Sequence, residues 1–144
     1  MKIAICSGYM NPCHVGHIAY FEAAKELADE LWVIVNSDLQ VGLKGSVPFM
    51  NESDRLRIVS SLKVVDRAFL SIDTDRTVSE SIREAMTHTM DHDEVLFVNG
   101  GDATRETVPE NETCDELGIK AVYGIVPQLR QSSKILEEAG VSNV

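Results

Sequence analysis

Ser7-Gly8-Tyr9-Met10-Asn11-Pro12-Cys13-His14-Val15-Gly16-His17 is the stretch on which the reading of this chain depends. It follows Ile3-Ala4-Ile5-Cys6, a short apolar run that reads as a buried strand. It precedes Ile18, Phe21, Ala24 and Ala28, which recur at helical spacing over residues 15–29. The stretch therefore joins a first strand to a first helix. His14 and His17 stand three apart at the helix start, on one face. Both can point at whatever occupies the helix N-terminus, where free N–H groups and the macrodipole favour an anion. Gly8 and Gly16 remove side chains where a phosphate would approach, and Asn11-Pro12 sets the turn. A histidine pair can also hold a metal. The spacing here is not the i, i+4 of zincin helices, however, and neither a carboxylate nor a third histidine adjoins the pair in sequence. A phosphate site is the reading, with no protein-built metal centre.

Outward from this loop, apolar runs alternate with amphipathic ones. Leu31–Val35 reads as a second buried strand ending at Asn36-Ser37-Asp38. Residues 41–49 hold two glycines and a proline and read as a loop. Asn51 or Ser53 caps a helix through Leu56, Val59 and Leu62. A short strand is expected at 67–70, a helix at 77–90 with Val78, Ile82, Ala85 and Met86 inward, and a strand at 94–98 stopped by Asn99-Gly100-Gly101-Asp102. A loop over 103–112, a short helix at 113–117, a strand at 120–125 and a last helix opening at Ser132 or Ser133 complete the chain. The expected fold is α/β: a Rossmann-like three-layer sandwich with a mostly parallel five-stranded sheet and helices on both faces. Ligands in such sheets bind beyond the carboxyl ends of the strands.

The 144 residues suit a single domain, 1–144. Thirteen Lys and Arg against 23 Asp and Glu leave a formal net charge of −10. That balance disfavours nonspecific nucleic-acid binding and adhesion to anionic membranes, so any polyanionic ligand needs its few cations gathered at one site. Cys6, Cys13 and Cys114 form no Cys-x-x-Cys pair and no disulfide framework. No apolar run approaches the roughly 20 residues of a membrane span, and residues 1–6 are too short for a signal peptide. A reducing, cytoplasmic setting is the expectation. His88 and His92 have metal-ligand spacing but sit among acidic and polar residues, as on a solvated face.

The segment from Gly8 to His17 resembles the His-x-Gly-His signature of the nucleotidyltransferase superfamily that includes the cytidylyltransferases. Three later features keep the family's order: Arg55 followed by Val65-Asp66, the Gly100-Gly101-Asp102 turn, and Gln131-Ser132-Ser133 opening the last helix. The resemblance spans residues 3 to about 137. It implies that a phosphorylated small molecule attacks the α-phosphate of CTP or ATP and releases pyrophosphate, with Mg²⁺ accompanying the triphosphate. The attacking group is already anionic, so the work is alignment and charge neutralisation.

On this resemblance His14, His17 and Lys44 are the catalytic candidates. Gly8, Tyr9, Met10, Gly16, Gly100, Asp102, Arg130, Ser132 and Ser133 would bind the nucleotide, and Lys44 and Arg55 the acceptor. The leading expectation is cytidylyl transfer to an acceptor such as glycerol 3-phosphate, by a homodimer. The chain departs from that pattern in three places. Gly8-Tyr9-Met10-Asn11 stands for the usual Gly-Thr-Phe-Asp, Ser46 for a second lysine, and Pro127-Gln128-Leu129-Arg130 before the last motif. An adenylyltransferase acting on a sugar phosphate or cofactor phosphate is the alternative enzyme. A non-catalytic nucleotide sensor is the alternative of another class, against which the intact His14-Gly16-His17 argues. A fragment of a class I aminoacyl-tRNA synthetase is excluded by length and charge.

Overall fold

The structure, a computed structural model, describes residues 1–101 and 103–125. Five strands run β1 (Lys2–Gly8), β2 (Glu30–Val35), β3 (Arg67–Leu70), β4 (Glu94–Gly100) and β5 (Lys120–Ile125). They form one sheet in the order β3-β2-β1-β4-β5, and every pairing is parallel. Helices α1 (Val15–Lys25), α2 (Asp38–Leu43), α3 (Glu52–Ser60), α4 (Ser79–Met86) and α5 (Asn111–Leu117) occupy the crossovers. Strand alternation divides the apolar residues between two faces. Ile3, Ile5, Trp32, Ile34 and Phe97 meet Val78, Ile82 and Ala85 at α4 and Cys114 of α5. Ala4, Cys6, Val33, Val35 and Val98 meet Phe21 and Ala24 of α1 and Val59 of α3. The result is the Rossmann-like three-layer sandwich expected from the sequence.

Because all strands point one way, the loops that follow them share one edge of the sheet. β3 and β5 occupy the residues expected of them, whereas two helices are shorter and one is longer. α1 ends at Lys25 and α4 spans only Ser79–Met86, while α5 opens at Asn111, two residues inside the stretch expected to be loop. The loop expected over 41–49 is a correction, since its first part is helical. Ser37 Oγ accepts from Gln40 N at 3.2 Å and Gln40 Oε1 accepts from Ser37 N at 3.1 Å. This Ser-x-x-Gln capping box starts α2 two residues beyond β2. Gln40, fully buried, also donates to Asp75 O and Thr77 O, which pins α2 to the loop after β3. Gly45, at φ +87°, turns the chain away from the helix in a conformation that favours glycine. Among the described residues no helix is long and apolar enough to cross a membrane.

Candidate active site

The loop between β1 and α1 is shaped by a methionine. Met10 takes a left-handed φ of 45° and is buried, and a Cβ on Gly8 would meet its Sδ at 2.7 Å. Gly8 thus makes room for a core side chain, a different use from the phosphate clearance expected of it. Asn11 then binds a distant segment with both ends of its amide. Its Nδ2 donates to Val47 O at 3.0 Å, and its Oδ1 accepts from Phe49 N and Met50 N at 2.7 and 3.2 Å. The Asn11–Pro12 peptide is cis.

At the end of this loop His14 and His17 cap α1 reciprocally. His14 Nδ1 accepts from Gly16 N at 3.0 Å, and His17 Nδ1 accepts from His14 N at 3.1 Å. His17 fills the N3 place that Glu or Gln takes in the usual capping box. An Nδ1 that accepts from a backbone N–H carries no proton, so each neutral ring bears its proton on Nε2. The rings lie 4.0 Å apart between centroids. Burial, with the neighbouring His14 adding to it, holds the pKa of His17 down to about 4, so this ring is a neutral donor near pH 7. No carboxylate stands in the first turn of α1, and Gly16 leaves its second position without a side chain. The N–H groups of His14 and Gly16 are consumed by this cap and that of His17 bonds His14 O, so what the helix start offers an anion is its two Nε2–H donors with no competing carboxylate.

Both rings face a cleft of about 300 Å³ lined also by Tyr9, Met10, Asn11, Pro12, Val41, Lys44 and Ser46. Lys44 is the C-cap residue of α2, and its ammonium lies over the Tyr9 ring, 4.3 Å from the centroid. An exposed cation held this way stays available to an anion entering the cleft. The structure thus places five of the candidate residues, Tyr9, Met10, His14, His17 and Lys44, around one cleft, which Gly8 and Gly16 do not line.

Arg55 is placed otherwise, and its expected contact with the acceptor is corrected. Its side chain is 0% exposed. The Nε donates to Met50 O at 3.0 Å, one terminal nitrogen donates to Tyr9 O and Asn36 O at 2.7 and 2.6 Å, and the other meets Asp38 Oδ1 at 2.7 Å. The guanidinium is enclosed by protein carbonyls and one carboxylate, and it ties together the loops that flank the cleft. Asp66, paired with Arg55 in the family pattern, binds Lys25 and Leu31 N at the opposite edge of the sheet.

Gly100 closes β4 beside β1 but does not line the cleft. A Cβ there would meet Ile125 O at 3.3 Å and the Tyr20 ring at 3.5 Å, and Gly101 follows at φ +60°. Asp102, Arg130, Ser132 and Ser133 lie outside the described residues, as does the last helix. His88 and His92 are exposed just before β4, far from the cleft, with His88 against Phe69 and His92 beside Asp93. All three cysteines are free, and burial raises the pKa of Cys6 to about 12.

Asn11, Pro12, Val41 and Ser46 complete the cleft without having been singled out as site residues. Nothing in the sequence marks Asn11 as a tether, because its partners are backbone atoms 36 to 39 residues away. Among the described residues no three His, Cys, Asp or Glu side chains converge to hold a metal, and Asp38 is committed to Arg55.

The profile of the family described as cytidylyltransferase-like matches residues 5–139. An FAD synthase of Methanocorpusculum labreanum is 33% identical over 145 residues, which cover 96% of each chain. An FAD synthase of Thermoplasma acidophilum is 40% identical over 89 residues, 60% of this chain and 63% of that one. Among solved structures, the lipopolysaccharide core biosynthesis protein of Thermoplasma volcanium superposes with a TM-score of 0.68 at 28% identity, covering 88% of this chain and 98% of the other.

Proposed function

The chain belongs to the cytidylyltransferase-like family of nucleotidyltransferases, and from that membership we propose that it transfers an adenylyl group from ATP to a phosphorylated small molecule. The observation that carries the transfer reading is the reciprocal cap, which leaves Nε2–H of His14 and of His17 as two fixed donors at one helix start. ATP is preferred over CTP because the two FAD synthases are among its relatives, and FAD is an adenylyl ester of a flavin phosphate.

In the reaction an acceptor phosphate oxygen attacks the α-phosphorus. A new P–O bond forms, the bond to the β-phosphate oxygen breaks, and pyrophosphate leaves with that electron pair. No proton needs to be abstracted, so neither histidine has to act as a base. His14 and His17 donate hydrogen bonds to the phosphate oxygens on which charge accumulates, and donors fixed before the reaction cost no reorganisation. Lys44 leaves the Tyr9 face to neutralise the α-phosphate or the incoming acceptor phosphate. Tyr9 and Met10 shape the wall on which the triphosphate rests. Gly100, Asp102, Arg130, Ser132 and Ser133 remain the candidates for the rest of the nucleotide. The described residues build no cage for Mg²⁺, which would arrive bound to the triphosphate and supply charge neutralisation.

Pyrophosphate release tests this reading, with ATP, CTP, GTP and UTP each offered against a panel of phosphomonoesters in the presence of magnesium. Release with ATP and at least one acceptor is expected. Release with CTP alone would overturn the choice of base. The absence of both turnover and nucleotide binding would overturn the transfer reading.

A further inference from the structure

The sheet divides at one seam. β1 and β4 are in register from Lys2 opposite Glu94 to Ile5 opposite Phe97, and their pairing stops there. β1 nevertheless stays with β2 as far as Gly8 opposite Val35, and β4 with β5 as far as Gly100 opposite Ile125. The two halves of the sheet therefore part between β1 and β4, where the strand order reverses and open parallel sheets receive their ligands. Tyr20 of α1 bridges this seam. Its hydroxyl donates to Val98 O, on the first residue of β4 beyond the paired stretch. The same hydroxyl lies within hydrogen-bonding reach of the Cys6 thiol, on the first residue of β1 beyond it. One edge of the ring packs against Gly100, 3.5 Å from the place of a Cβ there. Tyr20 also stands one helical turn beyond His17, so a single helix carries both the phosphate donors and this contact with β4.

We propose that Tyr20 is a positioning residue for the nucleotide: its phenol is the strut that fixes the end of β4, and with it the Gly100-Gly101 turn, at a set distance from the histidines that open α1. The inference rests on the β1–α1 cleft being the transfer site. A triphosphate lying on His14 and His17 extends its nucleoside across the seam toward the end of β4. The two subsites then belong to different halves of the sheet, and their separation decides whether one molecule fills both. Backbone pairing fixes that separation poorly. The β1 ladder has ended, and the β4–β5 ladder shifts register between Val98 and Gly100. The contacts of Tyr20 with Val98 O and Gly100 take its place, so the ordering of this strand end is not left to the ligand.

The test compares two probes in the presence of magnesium. Inorganic tripolyphosphate engages the phosphate donors alone, whereas a non-hydrolysable ATP analogue spans both subsites. Each is titrated calorimetrically into the parent protein, Tyr20→Phe and Tyr20→Leu, with circular dichroism and urea titration reporting the fold. The phenylalanine variant keeps the ring against Gly100 and loses the bond to Val98 O, and it should bind the analogue about fivefold more weakly. The leucine variant loses the ring as well and should bind it about twentyfold or more weakly, so that phenylalanine recovers part of the loss. Tripolyphosphate affinity should stay within about twofold of the parent in both. The KM for ATP should rise in step with the analogue's dissociation constant while kcat stays within about threefold, because the histidine donors are untouched. If leucine unfolds the chain, the ratio of the two probes in the phenylalanine variant decides alone. Parental analogue affinity in the folded variants would make Tyr20 a packing residue and overturn the proposal, whatever their stability. Equal losses for both probes would also overturn it, since the phosphate donors themselves would then have moved. A parent protein that binds tripolyphosphate as tightly as the analogue would remove the subsite beyond the seam, and this proposal with it, while leaving the phosphate site in place. A parent protein that binds neither probe and shows no turnover would bring down the transfer reading itself.

Discussion

Replacing His17 separates two jobs that the structure gives to one ring. Its Nδ1 accepts the backbone N–H of His14, and its Nε2–H is left for a phosphate. In His17→Ala both are lost. The missing cap leaves a helix-start N–H without its acceptor, a cost of about 1 kcal/mol in unfolding free energy. The missing donor removes a charge-stabilising hydrogen bond from the transition state, which corresponds to about 10²- to 10³-fold in kcat. His17→Gln divides the two effects. Glutamine at this third helical position can reach back to the His14 N–H and restore the cap, yet it does not carry a donor at the place of the imidazole Nε2. Urea titration should therefore find the glutamine variant within a few tenths of a kcal/mol of the parent, while pyrophosphate release stays at least about tenfold slower. A glutamine variant with parental turnover would show that the ring serves only the helix. An alanine variant with parental turnover would remove His17 from the chemistry altogether.

Three further outcomes follow from the same geometry. Lys44→Ala should reduce kcat/KM about tenfold or more and leave the melting temperature unchanged, because the ammonium is exposed and, among the described residues, rests against the Tyr9 face alone; parallel urea and kinetic measurements decide it. Arg55→Met should destabilise the fold by about 3 kcal/mol in urea, since Asp38 and three carbonyls lose their charged partner inside the protein; a neutral effect would mean that the guanidinium does not hold the loops. Because the folded pKa of His17 lies near 4 and its ordinary value is 6.5, the unfolded chain binds the extra proton between those pH values, and stability should fall as pH drops through that window. The full shift corresponds to roughly 3 kcal/mol, and about half of that survives for a ring in partial contact with water. His17→Gln should abolish this part of the pH dependence, which urea titrations at a series of pH values will show.

The three central strands of the sheet were legible because their middles are buried and nearly uninterrupted in apolar character. Ile3–Cys6, Leu31–Val35 and Val95–Val98 could be placed by composition alone, with the alternation of the two core faces hidden inside them. Helix α2 was not legible in the same way. Its exposed Leu39 and Leu43 and its Gly42 obscure any apolar stripe, and only the Ser37-x-x-Gln40 box announces it. The histidine pair could be read from its spacing at a helix start, but its tautomers could not, since they follow from which backbone N–H each ring accepts. Arg55 shows a similar limit. Through the family pattern it reads as an acceptor contact, and the carbonyls of Tyr9, Asn36 and Met50 that enclose it leave no trace in the sequence. Gly8 was read as clearance for a ligand, whereas the space above it is filled by Met10, a contact set by the left-handed turn at that residue.

Nitrogen-15 NMR of the histidine side chains at neutral pH addresses the two rings directly. His14 and His17 should both show a protonated Nε2 and an unprotonated Nδ1, and both Nε2 signals should move when a non-hydrolysable ATP analogue is added with magnesium. A proton on Nδ1 of either ring, or Nε2 signals indifferent to the analogue, would contradict the assignment of this pair as the fixed donors of the transfer site.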